Sequence, residues 1–170
     1  VIQRTAVNTF TVKPFTWEER LVGDNNTNPI PTFSGKKINK VLFFRNRLAF
    51  LSGENVILCK PGTLIKPDFF TETALTVSAI DAIDIACSSN FSSDLFDGIE
   101  INTGLILFSS NQQFLLSSDD TVLNPDTAKL KTISTYNYNT LVPPISLGTT
   151  VGYIDNSSKY SRFNEMGNTA

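Results

Sequence analysis

The stretch FFRNRLAFLSGENVILCK, from Phe43 to Lys60, contains two apolar runs separated by a short polar segment. The polar segment is SGEN, residues 52–55, and its glycine at the first central position suits a two-residue type II′ β-turn. The stretch therefore predicts a β-hairpin, with arginines among its aromatic residues. Such a hairpin could belong to a nucleic-acid groove, to a catalytic site, or to one unit of a larger β-structure.

The same layout occurs twice more, at Leu105–Leu116 (LILFSSNQQFLL) and at Val151–Phe163 (VGYIDNSSKYSRF), with turns predicted at 109–112 and 155–158. From residue 52 to 109 is 57 residues and from 109 to 155 is 46, near the length of a four-stranded propeller blade. A lone hairpin is marginal in water, so such units must stack to be stable.

The pattern predicts an all-β fold of antiparallel hairpins and meander sheets, arranged as the blades of a partial β-propeller. An open sandwich is the alternative. We expect a single domain over residues 1–170, with a lead-in segment at 1–35 and blade-like repeats at 36–170. The start, VIQRTAVNTF, has neither an initiator Met nor the layout of a signal peptide, so we expect a fragment of a longer protein.

Helical signals are sparse, and we expect at most one short helix, over Thr71–Ile83 (TETALTVSAIDAI). Its apolar positions mix the two periodicities, so a strand ending in the segment DIAC, 84–87, competes with it. No apolar run approaches the ~20 residues that span a bilayer. The net charge of −2 excludes bulk attraction to nucleic acid or to an anionic membrane.

The chain has no histidine, which excludes a Ser-His-Asp triad, a Cys-His pair and His-containing zinc sites within it. Its two cysteines, Cys59 and Cys87, are too few to close a zinc cage, and we expect both to be small core residues. We expect no cofactor and no metal.

Carboxylate chemistry, lysine chemistry or no chemistry remains open, and carboxylates offer the best candidate. Asp94, Asp97 and Glu100 are three residues apart in SSDLFDGIE, and on a helix they would share one face, where two of them could act as the acid and the base of a glycosidase. The flanking serines and Gly98 favour a turn that enters a strand, with all three acids solvated. Asp119 and Asp120, in SSDDTVLNPD, also indicate a solvated loop.

The segment GDNNTNP places Asp24, Asn26 and Asn28 at the alternating spacing that opens a calcium-binding loop. The sixth and twelfth positions hold Pro29 and Gly35 instead of glycine and glutamate. A turn stabilised by Asx side chains is the better prediction.

Basic residues concentrate near the first hairpin. On one continuous strand, Arg45 and Arg47 would share a face while Phe44, Leu48 and Phe50 would point into the core. The five clustered basic residues are Lys36, Lys37, Lys40, Arg45 and Arg47. They predict a basic surface patch, either for nucleic acid with aromatic stacking or as a charged strand edge that prevents unwanted pairing, and the edge is favoured.

Several segments together resemble one known family. They are FSGKKINKVLFFRNRLAFLSGENVILCKPG, IDAIDIACSS and QFLLSSDDTVLNPDTAKL, with WEERLVGDNNTNPIPTF before them and STYNYNTLVPPISLGTTVGYIDN after. The chain is similar to the middle portion of the tail nozzle proteins of short-tailed bacteriophages (podoviruses), also called tail tubular protein B. It departs from the family where GTLIKPDFF, 62–70, is longer and less aromatic than the family's GDYFNFF-like run.

The resemblance implies a virion structural protein without catalytic activity, located in the tail and assembled in the bacterial host cytoplasm. Nozzle proteins form a homohexameric tube with a β-propeller domain, below the ring of tail tubular protein A and beside the tail fibres. Genomic DNA passes through the tube without sequence-specific binding. A weakly charged wall suits this role, because each cation facing the duplex would release counterions and make the DNA adhere.

The alternative is a propeller-like binding module that recognises a host surface glycan. Trp17, Tyr136, Tyr138 and Tyr153 would then supply stacking platforms for sugar rings. The alternation in YNYN would place Tyr136 and Tyr138 on one face, although burial of at least one tyrosine is expected.

Overall fold

The structure is a computed structural model that describes residues 1–63, 66–89, 91–118 and 122–167. Within these ranges the regular secondary structure is entirely β, which confirms the predicted all-β class. The segment Thr71–Ile83 contains turns and bends instead of a helix, and the competing strand forms at its end. The strands are β1 Ile2–Ala6, β2 Thr9–Val12, β3 Lys40–Phe44, β4 Arg47–Ser52, β5 Asn55–Leu58, β6 Ile83–Ala86, β7 Leu95–Ile101, β8 Gly104–Ser109, β9 Gln113–Ser118, β10 Ala128–Ser134, β11 Ile145–Ser146, β12 Thr150–Ser157 and β13 Tyr160–Gly167.

These strands form antiparallel sheets that each follow the order of the chain. β1 and β2 make an N-terminal hairpin. The first sheet is β3-β4-β5-β6, the second is β7-β8-β9-β10, and the third is β11-β12-β13. Each is a meander, in which every strand pairs with the next one in sequence.

The first predicted hairpin forms as β4 and β5, with Ser52 paired to Asn55 and Gly53 at a φ of +57°. Of the two central residues only the glycine has a positive φ, as a type II′ turn requires. The second forms as β8 and β9, and the amide of Ser109 donates to the carbonyl of Gln112 across its turn. Both predicted turns are confirmed.

The third hairpin forms as β12 and β13, but the turn predicted at 155–158 is wrong. Ser157 pairs with Tyr160, so the chain reverses at Ser158 and Lys159. The polar residue Asp155 lies inside the strand, because it pairs with Arg162 on β13 and forms an ion pair with it. A polar run was therefore mistaken for a turn.

A turn that the sequence pattern did not reveal divides FFRNR. Phe44 pairs with Arg47, and the two residues between them, Arg45 and Asn46, have φ angles of +45° and +60°. Two successive positive φ angles are those of a type I′ hairpin turn. The assumption of one continuous strand through Arg45 and Arg47 is wrong.

The sheets are stacked in series, and apolar side chains fill the space between neighbours. Between the first and second sheets, Leu51 and Leu58 pack with Leu107 and Leu116. Alternate residues of the second sheet point the other way, so that Phe108 packs against Val151 and Tyr153 of the third sheet. First strands also lie beside first strands, with β3 against β7 and β7 against β11. This is the arrangement of successive propeller-like blades.

The outer face of the first sheet is covered by loop residues instead of another sheet. Trp17, Phe33 and Phe69 form an aromatic cluster with Phe50 of β4, with ring centroids 5.0 to 6.2 Å apart. Because Ala49 and Leu51 on the same strand are buried toward the second sheet, β4 is covered on both faces.

Candidate assembly surfaces

The three carboxylates of SSDLFDGIE are not assembled as an acid–base pair. Asp97 and Glu100 lie three residues apart on β7, so their side chains point to opposite faces of the sheet. Asp97 is buried, and its carboxylate accepts a 2.8 Å ion pair from Lys40 of the first sheet and a hydrogen bond from the Gly98 amide. Asp94 and Glu100 are exposed, as expected, but the solvated state predicted for Asp97 is wrong.

The candidate calcium loop folds as a turn held by its own aspartate. Asp24 Oδ1 accepts hydrogen bonds from the amides of Asn26 and Thr27 and from the Thr27 hydroxyl. The amide bonds to Thr27 and Asn26 hold the pKa of Asp24 below its ordinary value. Asn28 is buried and bonds instead to the backbone of Val22 and Thr71. The predicted Asx-stabilised turn is confirmed.

In the described parts of the chain, no three His, Cys, Asp or Glu side chains come together as metal ligands would. Asp119 and Asp120 lie outside the described residues. Cys59 and Cys87 are both buried and free, which confirms their place in the core. Burial, with a contribution from the Glu54 carboxylate, raises the pKa of the Cys87 thiol to about 12. That thiol is therefore a packing group.

The basic residues of the predicted patch lie at different positions around β3. Lys36 and Lys37 are exposed before β3, whereas Arg45 is exposed in the turn after it. Five strand residues at ~3.3 Å each separate these ends by roughly 15 Å. Lys40 is half-buried and ion-paired with Asp97. A patch built from Lys36, Lys37, Lys40 and Arg45 stays a prediction.

The surface placement predicted for Arg47 is wrong, because this residue is 2% exposed. Its guanidinium donates to four backbone carbonyls, those of Cys59, Ala79, Asp81 and Leu123, at 2.6 to 3.2 Å. Burial lowers the pKa of Arg47 from its ordinary value. Sequence reasoning missed this role because it assigned Arg47 to a strand that continues through the turn.

The aromatic residues proposed as sugar platforms fall into two groups. Tyr138 is 5% exposed and Tyr153 is 4% exposed, and both rings pack on Phe108 between the second and third sheets. Tyr136 is 64% exposed and Trp17 is 44% exposed. Tyr136 and Tyr138 therefore do not share an exposed face, since their segment is irregular and not a strand.

Trp17 lies at a surface cleft of about 440 Å³ on the outer side of the first sheet. Aromatic and proline side chains form much of its lining, which also includes Glu18 and Arg20. Glu18 also forms a 2.5 Å ion pair with Lys66. The cleft thus combines apolar side chains with charged groups.

The N-terminal hairpin exposes one apolar face. Ile2 pairs with Val12 and Arg4 with Phe10, so these four residues share a face, and the alternate pair of Gln3 and Thr11 occupies the other. Ile2, Phe10 and Val12 are 72%, 62% and 77% exposed. A two-stranded hairpin of this kind needs a partner surface for stability.

The described residues contain no helix with the length and apolar character needed to cross a membrane.

Comparison with known proteins relates the whole chain to one family. Residues 1–170 match the family model for the bacteriophage nozzle protein. Over 158 residues the chain is 32% identical to tail tubular protein gp12 of Escherichia phage T7. The aligned region covers 93% of this chain and 20% of that protein. The chain thus spans one fifth of the length of that relative.

Proposed function

Because this chain belongs to the bacteriophage nozzle protein family, we propose that it is a structural part of a tail nozzle that encloses the exit path of genomic DNA. The observation that carries the proposal is the match to the family along all 170 residues. The stacked sheets support it, because close-packed sheets resist deformation and suit a component that must keep its shape under load.

In this proposal six copies of the parent protein form the tube, below a ring of tail tubular protein A and in contact with the tail fibres. The tube is assembled in the host cytoplasm and resides in the tail of the virion. Residues 1–35 form a lead-in, and residues 36–170 contribute blades of a β-propeller. The module acts by assembly and not by catalysis, a role supported by the separation of its Asp97 and Glu100 side chains on β7.

The low net charge also supports passage of DNA over the module without adhesion. With 14 basic and 16 acidic residues, the chain adds no bulk positive potential along the path. Described cations such as Lys40, Lys60 and Arg162 are ion-paired with aspartates, which lowers their attraction for phosphates. Each unpaired cation facing the duplex would instead strengthen a salt-dependent contact.

Electron microscopy of the full-length protein tests the proposal. We expect a six-fold tube with a channel that admits duplex DNA, and particles caught during release should show duplex density inside it. A protein that stays monomeric beside its tail partners, or a closed channel, would contradict the proposal.

A phage experiment connects the module to this role. Leu107 is fully buried between the first and second sheets. We expect Leu107→Asp in the parent protein to give particles that package DNA but lack a working nozzle, because a charge is buried in the stack. Leu107→Met keeps the volume and should preserve infectivity. Normal DNA release by Leu107→Asp particles would argue against a structural role.

The cleft beside Trp17 supports recognition of a host glycan as a second candidate function. An exposed indole next to carboxylate and guanidinium groups can stack on a sugar ring and bond its hydroxyls. Binding of the full-length protein to host surface polysaccharide, abolished by Trp17→Ala and kept by Tyr136→Ala, would support it. Equal binding by both variants would exclude this cleft.

A further inference from the structure

Within the described residues, the third sheet has one strand fewer than the first and second sheets. The first and second sheets each contain four strands in the order of the chain, and the third contains β11, β12 and β13 in the same order. In that order a fourth strand would follow β13 along the chain and would lie beside it. We call this free side of β13 the vacant edge. No described strand occupies this position.

Backbone geometry shows which groups of β13 face the vacant edge. The carbonyls of Thr150 and Ile154 accept bonds from Leu147 and Asn139, so even-numbered residues of β12 direct their backbone groups away from β13. Odd-numbered residues of β12, such as Tyr153, therefore bond to β13, because backbone groups alternate along a strand.

Tyr153 pairs with Asn164, which then directs its amide and carbonyl toward β12. Its neighbours Phe163 and Glu165 direct theirs to the vacant edge. β13 is eight residues long, so this edge presents a full row of donors and acceptors. A long unprotected edge is the template to which another strand adds.

A groove of about 240 Å³ lies between the second and third sheets at the same side. Ile106, Leu115 and Ile133 of the second sheet form one wall, and Val151 and Met166 of the third form the other. Apolar side chains from a strand beside β13 would point into this groove on every second residue.

The equivalent space between the first and second sheets is filled by a fourth strand. Ile83 and Ile85 lie two residues apart on the same face of β6, and both pack toward Ala128 and Leu130 of β10. The last strand of the first sheet therefore closes the rim of its interface with the second sheet. In the part of the chain that the structure describes, no strand does the same for the interface between the second and third sheets.

We propose that a further strand of the same protein, the next along the chain after β13, pairs antiparallel with β13 and seals this groove. The strand carries apolar residues at alternate positions on the face toward Leu115 and Ile133. The 170 residues span one fifth of the related gp12, so a parent of that length has ample sequence to supply it. The proposal concerns blade completion and does not depend on the role in DNA passage.

Amide exchange in the full-length protein tests whether the edge is paired. We expect the amides of Phe163 and Glu165 to exchange at least about 100-fold more slowly than in an unstructured peptide, as hydrogen-bonded strand amides do. Exchange at the unstructured rate for both amides would overturn the proposal, since the edge would then be open.

A photo-crosslinking experiment identifies the occupant. Phe163→p-benzoylphenylalanine keeps an aromatic ring on β13 at a position that is 59% exposed. Phe43→p-benzoylphenylalanine is the matched control, because Phe43 is also 59% exposed on an edge strand. We expect the position-163 probe to label the segment directly after β13 in the same chain, and the control not to label it.

Mixing isotopically light and heavy copies distinguishes the other occupants. Cross-links from position 163 to the β1–β2 hairpin, to a second copy or to a different protein would each overturn the proposal. The absence of any cross-link to the following segment would overturn it as well.

Discussion

Replacing Arg47 with methionine tests whether one buried guanidinium joins successive sheets. The residue begins β4, and its four carbonyl partners lie at the end of β5, in the connection before β6, and at Leu123 before β10. One side chain thus ties the first sheet to two connecting segments, one of which belongs to the second sheet. Methionine retains an unbranched stem like the aliphatic part of arginine but is shorter and provides no donor.

The magnitude follows from two opposing effects. Hydrogen bonds to a charged group contribute ~1.5–3 kcal/mol each, and Arg47 makes four. Taking the guanidinium out of water costs several kcal/mol in the other direction. Because Arg47→Met leaves the carbonyls in place without their donor, the difference between these two effects gives an expected net destabilisation of about 3–5 kcal/mol. The stability of Arg47→Lys should lie between those of the parent protein and Arg47→Met, with a destabilisation of roughly 2 kcal/mol, since an ammonium cannot reproduce the planar fork of the guanidinium.

Urea unfolding followed by fluorescence of Trp17 measures this difference. With a slope of about 2 kcal/mol per molar urea, the midpoint of Arg47→Met should fall by about 2 M. Lys37→Met removes an exposed cation and should leave the midpoint unchanged. If Arg47→Met unfolds within about 0.3 M of the parent protein, the four bonds do not hold the stack together and the reasoning is refuted.

Three further changes have distinct expected outcomes. Asn46→Gly should raise the free energy of unfolding by about 0.5–1 kcal/mol, measured by urea titration, because glycine adopts the positive φ of the type I′ turn without strain; a loss would contradict that turn. Gly104→Ala should lower the free energy of unfolding by about 2 kcal/mol or more in the same assay, because the added methyl would collide with the Leu116 carbonyl. An unchanged free energy would contradict the close approach of Gly104 to Leu116. Cys87 has a folded pKa of about 12, above the ordinary thiol value of 9.0, so its contribution to stability is complete only well below pH 9 and declines as the pH rises through that value. Cys87→Ala should therefore flatten the loss of stability between pH 9 and pH 10.5, whereas an unchanged slope would show that the thiol is not shielded.

Much of the fold could be predicted because the hairpin signals are local. Gly53 marks the first turn by its conformational freedom, and the apolar runs on either side mark the strands. The Asp24 turn was predictable for a similar reason, since an aspartate that bonds amides two and three residues later needs nothing from the rest of the chain.

The errors occur where tertiary context decides. Arg45 and Asn46 form a type I′ turn in which Asn46 is the only residue that favours a positive φ, and without a glycine beside it the signal for a reversal is weak. Asp155 was read as a turn residue because it is polar, although pairing with Arg162 retains it in a strand. The burial of Arg47 could not be foreseen, because the carbonyls that bind it come from Ala79 and Leu123, far away in sequence.

The strand sequences also explain why the sheets stack. LAFL in β4 and LILF in β8 are continuous apolar runs instead of alternating ones, which is the pattern of strands covered on both faces. A sheet whose two faces are both apolar cannot stand at the surface, so it needs a neighbour on each side. β4 obtains these neighbours from the aromatic loops and the second sheet, and β8 from the first and third sheets. In contrast, β13 has a mixed sequence and its residues are largely exposed. It therefore requires no second apolar layer, and only its backbone edge would gain bonds from a further partner. The serial arrangement therefore follows from the composition of the central strands.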